Sequence, residues 1–97
     1  MLVVSVLQLV IDLPDVQSLK EKRSVVKSLK DRLQQRFRMS VAEIDRHDSL
    51  QFAHLGAALV SNSRVHGEAV LAKALHYAEE NAAGRISDVR IFSEVYD

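Results

Sequence analysis

Positive charge is concentrated in one segment of the chain, from Ser18 to Arg38. This segment holds eight of the thirteen basic residues and only two acids, Glu21 and Asp31, so it carries a net charge of +6. The other five basic and eleven acidic residues leave the rest of the chain at −6, and the whole chain is formally neutral. Because clustered cations attract phosphates and other anions, this segment is the first candidate for a binding surface.

The same segment has the spacing of an amphipathic helix. Ser18, followed three residues later by Glu21, forms a capping box that predicts the start of the helix. The apolar stripe of this helix consists of Leu19, Val26, Leu29, Leu33 and Phe37, with Val25 at its edge. At about 100° per residue, one flank of the stripe collects five cations around Gln34. We call them the cationic ridge, which is made of Lys20, Arg23, Lys27, Lys30 and Arg38.

Three cations stand where a helix disfavours them. Lys20, Lys22 and Arg23 lie in the first turn and a half, where the helix dipole favours acids instead. Lys22 also projects near the middle of the apolar stripe. Residues that break local rules are candidates for function, so we predict an anion-binding site formed by Lys22 and the cationic ridge. The alternative is that Asp12, Asp15 and Glu21 neutralise these cations in exposed ion pairs.

The remaining patterns predict the elements that position this helix. Strands are predicted from Leu2 to Leu13, Val41 to Asp45, Leu50 to Val60 and Ile86 to Tyr96. A second helix follows a cap at Asn62-Ser63, with Gly84 as its stop; its apolar face is predicted to be Val65, Leu71, Leu75, Ala78 and Ala82. The order βαββαβ predicts one domain over residues 1–97: a ferredoxin-like α+β sandwich with a four-stranded antiparallel sheet and two helices on one face.

The first predicted strand is apolar on both faces, which is typical of a central strand. With both helices on one face, the other face of the sheet is open. The first strand places four residues on this open face: Val4, Val6, Gln8 and Val10. Exposed valines in a central strand favour a covering partner, most simply a second copy of the chain, which predicts a homodimer or larger homo-oligomer. The alternative is a partly apolar face that solvent covers.

Residues for catalysis, metals or cofactors are few. The chain has no cysteine, which excludes disulfides and thiolate sites. The four histidines have no metal-binding spacing. Asp45, His47 and Asp48 could act as acid–base groups, but turn chemistry alone also favours aspartate there. We therefore expect no catalytic, metal or cofactor site and no enzymatic activity.

Two further expectations concern location and the mode of RNA contact. No apolar run reaches the length of about 18–20 residues that a membrane span needs. The apolar Met1–Leu13 lacks the basic start of a signal peptide, so we expect a cytoplasmic protein that does not enter membranes. The first strand carries no aromatic residue on which bases could stack, so RNA would be bound by charge alone.

Several stretches of the sequence resemble the YlxP-like family of small bacterial proteins. The most specific is Ser-Leu-Lys-Glu-Lys-Arg at residues 18–23, followed by Val25–Leu29. Further stretches are Val4–Pro14, Phe37–Asp45, Leu55-Gly56 and Val60-Ser61-Asn62. The resemblance implies a ferredoxin-like fold, no established enzymatic activity, and a role in ribosome assembly or RNA binding. Lys20, Glu21, Lys22 and Arg23 carry the family motif; Asp45 and Asp48 match its acidic turn; Leu50 replaces a frequent tryptophan, and Phe52 replaces a residue that is often polar.

Three functional hypotheses follow. The first is a non-enzymatic protein that binds RNA or a ribosomal particle through the cationic ridge. The second is a homo-oligomeric scaffold that joins copies through the open sheet face. The third is an enzyme acting on a small anion, with Lys22 and Asp45 or Asp48 as its reactive groups.

Overall fold

Six elements follow one another in the predicted order in the structure, a computed structural model that describes residues 1–97. They are β1 (Leu2–Asp12), α1 (Leu19–Phe37), β2 (Ser40–Asp45), β3 (Phe52–Ser61), α2 (Arg64–Asn81) and β4 (Arg85–Tyr96). The strands form one antiparallel sheet in the order β2-β3-β1-β4. Residues of both helices share one core cluster with β1, so both helices lie on one face. The predicted ferredoxin-like α+β fold is confirmed.

Strand β1 occupies the centre of the sheet, as its two apolar faces predict. Its register pairs Leu7 with Ala57 of β3 and with Ile91 of β4. Leu7, Leu9 and Ile11 are buried in the core cluster beneath the helices. Successive strand residues point to opposite faces, so the even-numbered residues of β1 lie on the open face.

The ends of α1 are set by its caps. The Oγ of Ser18 accepts a hydrogen bond of 3.1 Å from the backbone N–H of Glu21. The Glu21 carboxylate accepts one of 3.2 Å from the N–H of Gln17, one residue earlier than in a standard capping box. Arg38 ends the helix in the left-handed conformation, with a φ of 50°.

Replacing Ser18 by alanine is expected to lower the free energy of unfolding by about 1 kcal/mol, because a helix N–H loses its acceptor. Chemical denaturation followed by circular dichroism measures this change. Ser28→Ala, at an exposed position of the same helix, is the matched control and is expected to be neutral or slightly stabilising. Equal effects of the two substitutions would contradict the capping role.

Helix α2 approaches the sheet through small residues. Its buried residues are Gly67, Leu71, Ala74 and Ala78. A Cβ atom on Gly67 would overlap the Oγ of Ser5, a buried hydroxyl that shares a hydrogen bond of 2.7 Å with Ser93. Glycine is therefore needed where α2 crosses β1.

Two predictions about α2 are wrong. Val65 is 81% exposed, because its position lies about 120° around the helix from Leu71 and so off the buried face. Gly84 is not the helix stop, since α2 ends at Asn81 and Ala82 caps it by donating its N–H to Ala78.

Both edge strands contain an irregularity. In β4 the register with β1 shifts next to Asp88, which has a positive φ of 49°. In β2 the register with β3 shifts between Glu43 and Asp45. Beyond Asp88 the pairing of β4 with β1 is regular from Arg90 to Tyr96.

Candidate nucleic-acid interface

Helix α1 presents the cationic ridge along the β2 side of the molecule. Lys20, Arg23 and Lys27 are exposed, and Lys30 is half-buried. Gln34 lies on the same flank, and its side-chain oxygen accepts a hydrogen bond of 3.4 Å from the N–H of Val41 in β2. Because β2 is an edge strand, this flank borders the rim of the sheet. The exposed Arg38 follows directly after the helix in the left-handed conformation, so helical spacing does not place it on this flank; it borders a surface pocket together with Val4 and Val60.

Few carboxylates neutralise the ridge. Lys27 forms an exposed ion pair of 2.6 Å with Asp31. None of the four ion pairs in the chain involves the other ridge residues, which are Lys20, Arg23, Lys30 and Arg38. The predicted neutralising acids do not pair with them: Asp12 lies 4.0 Å from Arg85, Glu21 accepts a hydrogen bond from the N–H of Gln17, and Asp15 forms no ion pair. The ridge therefore keeps most of its charge toward solvent.

Lys22 does not belong to this surface, and the prediction that it does is wrong. Its side chain is 2% exposed, and its Nζ lies 3.2 Å from the carboxylate of Glu43 in β2. The Nζ also donates a hydrogen bond of 2.6 Å to the carbonyl oxygen of Arg46. The apolar stripe of α1 faces the core, so a lysine within it is carried inward to a partner on β2. Lys22 thus ties α1 to the β2–β3 turn.

The second flank of α1 holds cations that sequence analysis did not single out. Arg36 lies over the ring of Tyr77 of α2, with 4.8 Å between the guanidinium carbon and the ring centroid. Tyr77 in turn meets Phe37 edge-on, at 5.8 Å between centroids. Arg32 borders a cleft between the helices together with Val25 and Asn81. These residues are far apart along the chain, so sequence spacing gives no signal of their proximity.

The structure does not assemble the catalytic groups of the enzyme hypothesis. The Nζ of Lys22 already contacts the Glu43 carboxylate and donates to the carbonyl oxygen of Arg46. The carboxylate of Asp45 accepts a hydrogen bond of 2.8 Å from the N–H of Arg46. Asp45, His47 and Asp48 are exposed. No cavity of the molecule is lined by Lys22, Asp45 or Asp48. The pocket that this hypothesis requires is not formed.

The open sheet face is less exposed along β1 than its sequence suggests. Val4, Val6 and Gln8 are half-buried, with Val6 paired between Ala58 and Phe92 of the neighbouring strands. Val10 is only 7% exposed. Val10 therefore cannot be a main contact of the predicted oligomer interface, because its neighbours already cover it. The more exposed apolar side chains of this face lie on the other strands: Ile44, Phe52 and Val60.

No helix in the structure combines the length and the apolar character that crossing a bilayer requires.

These observations define the class of the protein: a small ferredoxin-like α+β domain with an exposed cationic helix beside one sheet edge. Residues 4–91 match the family model described as "Protein of unknown function (DUF503)", and the chain belongs to this family. The chain is also similar to "Uncharacterized protein YlxP" of Bacillus subtilis (strain 168), with 42% identity over 65 residues, which are 67% of this chain and 71% of that protein. The predicted resemblance to YlxP-like proteins is confirmed.

Among solved structures, the chain is similar to the "De novo designed protein Ferredog-Diesel". The TM-score is 0.49 and the sequence identity is 13%. The superposition covers 92% of this chain and 83% of the designed chain.

Proposed function

We propose that this protein binds the phosphate backbone of RNA, with ribosomal RNA as the candidate, through the cationic ridge and without catalysing a reaction. The observation that carries the proposal is that four of the five ridge cations lack a carboxylate partner within the chain. A domain gains little stability from unpaired like charges on one flank, whereas a polyanion would use them. Such a partner would place the protein in the cytoplasm.

The geometry favours contact with the backbone over reading of bases. From Lys20 to Lys30 the ridge runs for about 15 Å along α1, enough to meet several successive phosphates. Strand β1 carries no aromatic side chain, and Phe52 and Phe92 lie on the two strands that flank it. Contacts to phosphates position a protein on RNA without selecting its sequence. Binding is therefore expected to be electrostatic and tolerant of sequence.

Charge reversal on the ridge tests the proposal. Lys20→Glu combined with Arg23→Glu is expected to weaken binding to purified ribosomal RNA about 10-fold at low salt, because two phosphate contacts become repulsive. Filter binding over a series of salt concentrations measures this loss. The slope of log K against log salt is expected to become shallower by about 1 to 2.

A matched control separates the ridge from net charge. Arg64→Glu combined with Lys73→Glu changes the net charge equally, at exposed and unpaired positions of α2. This control is expected to change affinity less than about 3-fold. Equal losses in both double variants, or no loss in the ridge variant, would refute the ridge as the binding surface.

A homo-oligomeric interaction protein is the alternative function. It is favoured by large apolar side chains that remain exposed on the sheet, among them Val60, Val89 and Val95. The row predicted as the interface offers little area, since Val4, Val6 and Gln8 are half-buried and Val10 is buried. If copies nevertheless join through this row, Val6→Glu will sediment as a smaller species than the wild type; unchanged sedimentation excludes the row as the interface.

A further inference from the structure

The two edges of the sheet differ in how open they are. Strand β2 has only six residues, and the outward N–H of Val41 already donates a hydrogen bond to the side chain of Gln34. Strand β4 has twelve residues, and no side chain bonds to its backbone between Val89 and Tyr96. Natural sheets usually protect a long edge because its free backbone groups pair with other strands. From Arg90 to Tyr96, beyond the bulge, the edge of β4 is regular and its outward backbone groups have no partner within the chain, so it can accept a partner strand.

Several side chains of β4 are exposed, and most of its charged residues lack a partner of opposite charge within the chain. Val89 and Val95 are 40% and 46% exposed. On the open face, Arg90 and Glu94 stand on either side of Phe92, and neither forms an ion pair within the chain. Glu94 accepts a hydrogen bond of 2.9 Å from the hydroxyl of Tyr96, and this bond raises the pKa of that phenol. Exposed apolar and charged side chains thus lie together along an edge that no other element covers.

We propose that β4 pairs antiparallel with β4 of a second copy, about a two-fold axis that passes through Phe92. In this register Val89 lies opposite Val95, and Arg90 lies opposite Glu94. The two-fold axis repeats each pair, so the interface gains two valine pairs and two ion pairs. Cross-strand pairs of both kinds stabilise sheets, and an interface that pairs with itself requires this symmetric complementarity.

Neighbouring registers do not share this complementarity. An axis through Ile91 would place Arg90 opposite Phe92 and leave Glu94 without a cation opposite it. An axis through Ser93 would place Arg90 opposite Tyr96 and Phe92 opposite Glu94. Registers between these are excluded. In an antiparallel pair, residues whose backbone N–H and C=O point out of the sheet edge must lie opposite residues of the same kind. Of these three registers, only the axis at Phe92 pairs Arg90 with Glu94.

Pairing at β4 joins two sheets of four strands into one sheet of eight. The β2 edges then lie at the two outer ends, so both cationic ridges stay exposed. This inference deepens the alternative proposal of a homo-oligomer and is independent of RNA binding. Loss of dimerisation and loss of RNA affinity are therefore separate outcomes, measured on different variants.

Charge reversal and exchange at β4 test the pairing. Sedimentation velocity over a series of concentrations is expected to show a dimer for the wild type. Arg90→Glu and Glu94→Arg are each expected to raise the dissociation constant about 10-fold or more, because like charges then face each other. The double variant R90E/E94R exchanges the charges and is expected to restore the dimer. A wild type that stays monomeric at the highest attainable concentration would overturn the proposal.

Cysteine pairing tests the register directly, since the native chain contains no cysteine. A mixture of Val89→Cys and Val95→Cys chains is expected to form a disulfide-linked heterodimer under mild oxidation. Each variant alone is expected to form none, because residues 89 of the two copies lie six positions apart, or about 20 Å. Val6→Cys, at the centre of the open face, is the matched control. Crosslinking of this control, with none in the mixture, would assign the interface to the open face and refute pairing at β4.

Discussion

Replacing Lys22 by alanine is expected to lower the free energy of unfolding by about 3–5 kcal/mol, the range measured when one partner of a buried ion pair is removed. The Glu43 carboxylate is mostly buried, and its Oε2 has no hydrogen-bond partner besides the approach of Lys22. Without Lys22 this charge would remain in a poorly solvated site, and the carbonyl of Arg46 would lose its donor. Urea unfolding followed by circular dichroism measures the change.

Two controls separate the ion pair from the loss of a side chain. Lys20→Ala removes an exposed lysine from the same helix turn and is expected to change stability by less than about 0.5 kcal/mol. Lys22→Met combined with Glu43→Leu removes both charges while keeping similar volume. It is expected to recover most of the loss, since apolar replacements of buried pairs are often neutral or stabilising. A loss below about 1 kcal/mol in Lys22→Ala would show that Glu43 finds other solvation.

Replacing Gly84 by alanine is expected to destabilise the fold by about 3 kcal/mol, at the upper end of the range for overpacking. A Cβ atom at this position would overlap the carbonyl oxygen of Asp12 and lie 3.2 Å from Leu13. Because the obstacle is backbone at the end of β1, no side-chain rotation relieves the overlap. Thermal unfolding followed by circular dichroism measures the effect.

Gly56→Ala is the matched control for this prediction. A Cβ atom on Gly56 would lie 3.3 Å from side-chain atoms of Ile44. Ile44 is exposed and can move, so the substitution is expected to change stability by less than about 1 kcal/mol. If both alanine variants melt at the same temperature, the close approach of Gly84 to the end of β1 is not a constraint on the fold.

The fold follows from local patterns that agree with one another. Apolar residues on both faces of β1 predict a central strand, and Ser18 with Glu21 predicts the start of α1. Val65 shows where a local pattern is insufficient: valine favours burial, but its helical angle places it outside the face that α2 presents to the sheet. On α2 that face is set by Gly67 and the buried alanines, whose small side chains give a weak hydropathy signal.

The site shows the limit of reasoning from residue type. Lysine as a residue type favours the surface, but position 22 lies in the apolar stripe of α1. In the structure the Lys22 side chain is therefore buried. The partner that makes this burial tolerable, Glu43, is 21 residues away and reaches Lys22 only because β2 packs against α1. The exposed cationic ridge could be predicted from the spacing of its residues along a single helix. Contacts between elements, such as Arg36 with Tyr77, need the tertiary arrangement.

The hydrogen bond between Gln34 and Val41 has a consequence for stoichiometry. A molecule with two equally available rims could add copies at both ends and grow into a ribbon without limit. Here one rim is short, and one of its outward N–H groups is already bound to the molecule's own helix. If two copies pair through β4, the opposite rim of each is therefore closed to further copies, and the assembly ends at two chains.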